Sequence, residues 1–530
     1  MTFPTDLVAF LTTLLRGGQL AGQALLIGGG AFLLGLAQPL APRFGAAGVA
    51  LMAASRRWLR RSALLLAFVA TANAGLSMVD LHAALGLPYS QAAGADFVRW
   101  AAVIVIAAAI AALLLAVPGR QPAGLPLVLT GAAALVGSVM SSHAAARIDH
   151  RSFFMAADLL HQLGASVWIG GIPFLLLGLH HVRTADCRLL VGLRFSHMAM
   201  VAVVCLAIGA ILMAAGYTRS VTAAVGTAYG AMMGAKLALL GVLLLLAFFN
   251  MLSARGSAAD PTLGRLSNFA EVEIGIGMAL MFIAASLATQ PPAVDQALDP
   301  TSVATLSEIV GRLAPHWPRW SSPPHEMVTI PTEGALAPIN TEIDRAWSEF
   351  NHHWAGVFVL AIGLLALAER SGAAPWARHW PLAFLGLGAM LFVRSDPENW
   401  PLGPIPFFKG FSDPEVTQHR LVVLLLIPFA CFEWAVRTGR LTKPWARAVF
   451  PLLCALGGTL LLTHNHTLTD AKQRYLIELT HIPMGILGIL AGWARWLEIR
   501  SKGPVIRAAS WVWPVCFALI GLLLIDYRES

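Results

Sequence analysis

Histidine is the residue type whose placement in this 530-residue chain could do chemistry. Of its sixteen histidines, all but His180, His181, His197 and His379 fall at, or just beyond, one and the same end of the apolar segments they flank. Imidazole is a favoured ligand for copper, zinc, nickel and iron. A one-sided gathering of it predicts a metal ion handled at one face of a membrane. In the first half the candidates are His143, closing one apolar segment, and His161, opening the next. His150 lies between them as a possible further ligand, with Asp149 and Asp158 near enough in sequence to balance a cation or orient a ring. In the second half they are His353, His419, His464 and His481, with His352, His466 and Glu478 as possible additions. Glu478 precedes His481 by three residues and shares its helix face. Adjacent or i,i+2 histidines point different ways, so not all six can hold one ion. The plainer alternative at every position is an interfacial imidazole solvated by water and headgroups.

The elements that must position these residues are membrane-spanning helices. The chain is 57% hydrophobic and only 12% charged, with a mean hydropathy of +0.70, whereas soluble domains carry about a quarter charged residues. Its apolar runs are of the length a helix needs to cross the bilayer, and no strand-like alternation points to a barrel. The expected fold is an all-α, polytopic bundle of about fourteen helices: 19–37, 62–80, 97–117, 124–142, 157–179, 195–216, 228–250, 270–289, 352–369, 379–394, 419–436, 446–463, 476–496 and 508–526. A Pro-rich loop over 291–350 divides eight helices (1–290) from six (351–530).

Charge sets the orientation. Arg43, Arg56, Arg57, Arg60 and Arg61 lie between the first two runs, Arg183, Arg188 and Arg194 between the fifth and sixth, and Arg437, Arg440, Lys443 and Arg447 later on. The positive-inside rule makes that side cytoplasmic. The histidine-bearing side and both termini are then outside. The net charge of +8 is thus spent on topology, and no nucleic-acid partner is expected. Asp6 and Arg16 precede the first run without a basic leader or cleavage site, predicting an uncleaved first helix.

Two further features bear on an ion's path. Met140, Met213, Met232, Met233 and Met281 fall in the outer halves of their helices. Thioethers select Cu(I), although methionine also fills gaps between packed helices. Lys236 stands near the middle of the seventh helix, where a charge costs about 2.5–3.5 kcal/mol and calls for an interior partner. His316, His325 and Met327 in the long loop, His82 in an earlier one, and inner-side His197 are weaker candidates.

The stretch from about 140 to 250 carries a resemblance. SSHAAARIDHRSFFMAADLLHQLGASVWIGGIPFLLL, with His161, Trp168, Gly170 and Gly171, is followed by RFSHMAM and then by TAYGAMMGAKLALLGVLLLLAFFN, with Tyr229, Gly230, Lys236 and Asn250. This order resembles the copper resistance protein D (CopD) family of bacterial inner-membrane proteins, over the whole eight-helix half. The six-helix half is similar to C-terminal extensions of longer members. The resemblance implies Cu(I) or Cu(II) handling at a bacterial inner membrane, often beside a small periplasmic copper-binding protein, by a transporter and not an enzyme.

Absent motifs narrow the rest. There is no phosphate loop for ATP and no CxxCH for covalent haem, and the five cysteines form no CxxC pair. A b-type haem oxidoreductase remains an alternative, since paired histidines on facing helices can hold haem b. A structural assembly factor for a periplasmic copper protein is a third reading.

Overall fold

In hydrocarbon a chain this apolar must satisfy its backbone within each segment, and the helix does so. The structure, a computed structural model, describes residues 5–117, 124–254, 263–328, 342–463, 471–501 and 504–529. Each segment expected to be helical lies on a helix: α1 (Thr5–Phe32), α2 (Ala46–Leu85), α3 (Asp96–Leu114), α4 (Gly124–Met140), α5 (Arg151–His181), α6 (Ala185–Thr218), α7 (Ala228–Ala254), α8 (Leu263–Leu287), α9 (Glu342–Ser371), α10 (Ala383–Arg394), α11 (Pro414–Arg437), α12 (Ala446–Thr463), α13 (Ala471–Arg500) and α14 (Pro504–Ile525).

Twelve helices among the described residues are long and apolar enough to cross a membrane, not fourteen. The exceptions are α4, with 17 residues, and α10, with 12. At about 1.5 Å per residue these span roughly 26 and 18 Å, short of the hydrocarbon core. Prolines 375 and 381 turn the chain before α10 into a 3-10 helix (Pro375–Leu382), which removes about one turn from the expected segment.

The helices also run further than the apolar runs that announced them. α1 continues through a π-helical turn (Leu33–Ala37) into Gln38–Phe44, and α2 begins at Ala46. The loop expected between the first two segments is therefore the single residue Gly45, at φ +57°, a conformation glycine adopts without penalty. Arg56, Arg57, Arg60 and Arg61 sit on α2 itself. Arg16, expected ahead of the first helix, likewise lies well within α1. Apolar periodicity marks where a helix is buried, not where its snorkelling cationic ends stop.

The chain forms two compact units, chiefly Met1–Val225 with Met232–Pro300, and Thr301–Leu462 with Leu468–Ser530. In the first, α5 is central, packing on both α1 and α6. Small residues set these contacts: a Cβ at Gly170 would come within 1.8 Å of the Ala24 carbonyl oxygen on α1, and one at Gly209 within 2.5 Å of the Ala157 oxygen on α5. In the second unit α9, α13 and α14 pack together over a core that includes Ile362, Trp380, Phe450 and Trp513. Residues 301–328 join this unit, opening with a helix (Leu306–Leu313) held by a Thr305–Glu308 capping box.

Candidate functional site

In the first unit the polar groups of α1, α2 and α5 form a line through an otherwise apolar bundle. Asn73 Nδ2 donates to Gln19 Oε1 at 3.3 Å. Gln23 Nε2 donates to Gln162 Oε1 at 3.1 Å, and Gln162 Nε2 donates to Asp158 Oδ1 at 3.0 Å. Thr12, Arg16, Gln19 and Gln23 follow one another at helical spacing, so they line one face of α1. Asp158, 8% exposed, is the electrostatic hub: its carboxylate interacts with Arg16, His143, His161 and Lys236. Among the described residues Lys236 forms no direct ion pair; Asp158 acts on it from a distance.

His161 owes its setting to the α5–α6 contact. With Gly209 allowing close approach, His161 Nδ1–H donates to the Leu206 carbonyl at 3.1 Å, which puts the lone pair of the neutral ring on Nε2, the form a metal requires. His143 lies just beyond α4, in the short helix His143–Ala146. Burial holds its pKa below the ordinary 6.5, against the opposing pull of the Ala288 and Gln290 carbonyls and of Asp295 and Asp158. Its Nε2 is buried without a hydrogen-bond partner among the described residues. His150 takes a left-handed conformation, φ 52°, immediately before α5.

In the second unit the organising residue is Tyr527, 1% exposed and just past the end of α14. The His352 ring stacks on it at 4.0 Å between centroids, and the His481 ring meets it edge-on at 5.8 Å. Each histidine donates Nδ1–H to the carbonyl one turn back on its own helix, Ser348 at 2.8 Å and Ile477 at 2.9 Å. Both neutral rings are then in the tautomer with the Nε2 lone pair. Tyr527 donates its hydroxyl to Glu529 at 2.9 Å. Burial, then the charge of Glu529, holds that phenol well above its usual range.

His353 plays a different part. It is wholly buried; Nδ1 accepts from the Arg319 N–H at 2.8 Å, and Nε2–H donates to the Tyr527 carbonyl at 2.8 Å. With both ring nitrogens committed to backbone, His353 clamps the segment around Arg319 and the C-terminal tail to α9. His316 joins the same group, its ring 5.7 Å from that of His353 and its Nδ1 3.1 Å from Asp526 Oδ1. Burial and Arg528 lower the His316 pKa, against Asp526.

His419, at the start of α11, pairs through Nδ1 with Asp396 Oδ1 at 2.7 Å, the carboxylate–imidazole arrangement that commonly backs a metal ligand. His464 and His466 lie outside the described residues. Glu478 is 6% exposed. His82 stacks on Tyr89, His325 hydrogen-bonds the Pro397 carbonyl, and His379 accepts from Trp434 Nε1. Among the methionines, Met232 and Met281 are buried and Met140, Met213 and Met233 partly so. Among the described residues no three His, Cys, Asp or Glu side chains converge to hold a metal.

Sequence reasoning missed Gln19, Gln23, Asn73 and the buried Asn250–Glu273 hydrogen bond, which joins α7 to α8. The signal was present: polar residues at helical spacing within apolar runs mark an interior face.

Helices of this length and apolarity define a polytopic helical membrane protein. Residues 190–287, which take in most of α6, all of α7 and α8, match the family model of copper resistance protein D. No curated protein and no solved structure matches the chain.

Proposed function

We propose that this protein binds copper at the histidine-bearing ends of its helices and passes the ion across the membrane. The observation that carries the reading is the copper resistance protein D match over 190–287, a segment that supplies Lys236 and the Leu206 carbonyl fixing His161. In this reading His143 and His161 capture copper in the first unit, with Asp158 balancing its charge. His352, His481 and the Asp396-backed His419 serve the second, with His464, His466, His150 and Glu478 as further donors. The buried methionines offer thioether stations for Cu(I), each weak enough to release the ion. His353, as a backbone clamp, supports this set without joining it. The side bearing these residues is the periplasmic side of a bacterial inner membrane, where a small copper-carrying protein would deliver or collect the ion.

Copper content of the detergent-purified chain, beside His161→Ala and a His352→Ala/His481→Ala double variant, tests the proposal. Bound copper in the wild type that falls in both variants supports it. A wild type that retains no copper after loading, or variants that retain as much, would overturn it.

A further inference from the structure

A cavity of about 320 Å³ opens within the first unit, at the end where α4 and α8 finish and α3 starts. It is large against the roughly 30 Å³ that a water occupies in the liquid. Arg16, Gln19, Asn73, Ser77, Ser142 and His143 supply polar lining, and no acidic side chain lines it. Three of these residues hold buried polar atoms that lack a hydrogen-bond partner among the described residues: Gln19 Nε2, Asn73 Oδ1 and His143 Nε2. Gln19 is 1% exposed. Gln19 Nε2 is a donor free to meet a guest in the cavity, whereas Asn73 Oδ1 only accepts and calls for a donor such as water.

The charge decides what that something is. A guanidinium keeps its proton in proteins. Arg16 donates to the Ser138 carbonyl at 3.4 Å, and no carboxylate forms an ion pair with it among the described residues. Asp158, which acts on it from a distance, also serves Lys236. Two basic side chains therefore share one interior carboxylate, and the fork of Arg16 faces a chamber lined by hydroxyls and amides. Close to the guanidinium itself a cation is disfavoured. A compact anion would gain charge-assisted hydrogen bonds.

We propose that this cavity is a binding site for a small monovalent anion, a halide or a short carboxylate, held by Arg16 and the Gln19 amide. The cavity shares His143 with the proposed copper site, so the anion is measured with copper left out and has its own readout. Equilibrium retention of radiolabelled chloride is measured on the full chain in detergent at constant ionic strength, with formate and acetate as competitors. Saturable retention is expected, with formate or acetate competing if the site takes carboxylates and neither competing if it takes halide alone. Arg16→Gln should weaken it at least about tenfold, as loss of a charged hydrogen bond requires, and Arg16→Lys less. Ala74→Leu, which fills the cavity from its wall and keeps Arg16, should also reduce retention and serves if Arg16→Gln fails to fold. No saturable retention of chloride and no binding of labelled formate by the wild type would mean that the cavity holds water only. That result, or retention unchanged in both Arg16→Gln and Ala74→Leu, overturns the proposal.

Discussion

His161 Nδ1 lies 3.1 Å from the Leu206 carbonyl oxygen on the neighbouring helix, and the contact exists because Gly209 has no side chain. A Cβ there would sit 2.7 Å from the His161 backbone nitrogen. Replacing Gly209 with valine should force α6 away from α5 and break the bond. The expected cost is about 1–3 kcal/mol, as for other overpacked contacts, read as a shorter half-life at elevated temperature in detergent. A variant as long-lived as the wild type would show that the helices are not held this closely.

The His419–Asp396 pair gives a sharper test of metal chemistry in the second unit. Asp396→Asn keeps the shape but removes the charge that strengthens His419 as a donor. If His419 ligates copper, affinity should fall by about 10–100-fold, measured by competition with a calibrated chelator. Unchanged affinity would remove His419 from the ligand set. A Soret band in the same preparation would redirect the reading to haem b.

The clamp residue should behave differently from its neighbours. His353→Ala removes two backbone hydrogen bonds at a wholly buried position. It should release the tail around Tyr527 to proteolysis and lower stability by about 1–3 kcal/mol while leaving copper stoichiometry intact. Copper lost from a well-folded His353→Ala chain would return this residue to the ligand set.

Acid sensitivity follows from His143 and His316, both held below the ordinary 6.5 chiefly by burial. A folded-state pKa below the unfolded one means that the unfolded chain binds more protons. The stability these neutral rings contribute is complete above pH 6.5 and declines as pH falls from 6.5 through their folded values. Lifetimes in detergent should therefore shorten below pH 6.5. A His143→Gln/His316→Gln chain should lose less over that interval; an identical pH profile would rule these two out as the cause.

At the opposite end of the second unit, Arg437 lies between Trp380 and Trp513, 5.0 Å from each ring centroid, and pairs with Glu433 Oε1 at 2.8 Å. Glu433 is 1% exposed. Arg437→Gln strands that carboxylate and should cost about 3–5 kcal/mol, visible as poor yield or early thermal aggregation. Arg437→Lys should recover part of the loss, because the charge returns without the planar stacking surface.

Apolar run length by itself determined that the chain is an all-helical membrane protein and which stretches are helical, though not where the helices end, because hydrocarbon leaves the backbone no other choice. The order of residues around Lys236 likewise carried the copper resistance protein D likeness, which the family match bears out over 190–287; His161 and Gly170 lie outside that match. Only the tertiary structure decided what each polar residue touches. His353 and His352 are neighbours in sequence, yet one spends both ring nitrogens on backbone while the other stacks on Tyr527. Arg16 reads as a residue ahead of the first helix and turns out to face an interior cavity. Periodicity reports which face of a helix is buried; which partner waits there depends on the close approach of distant segments, set by small residues such as Gly170 and Gly209.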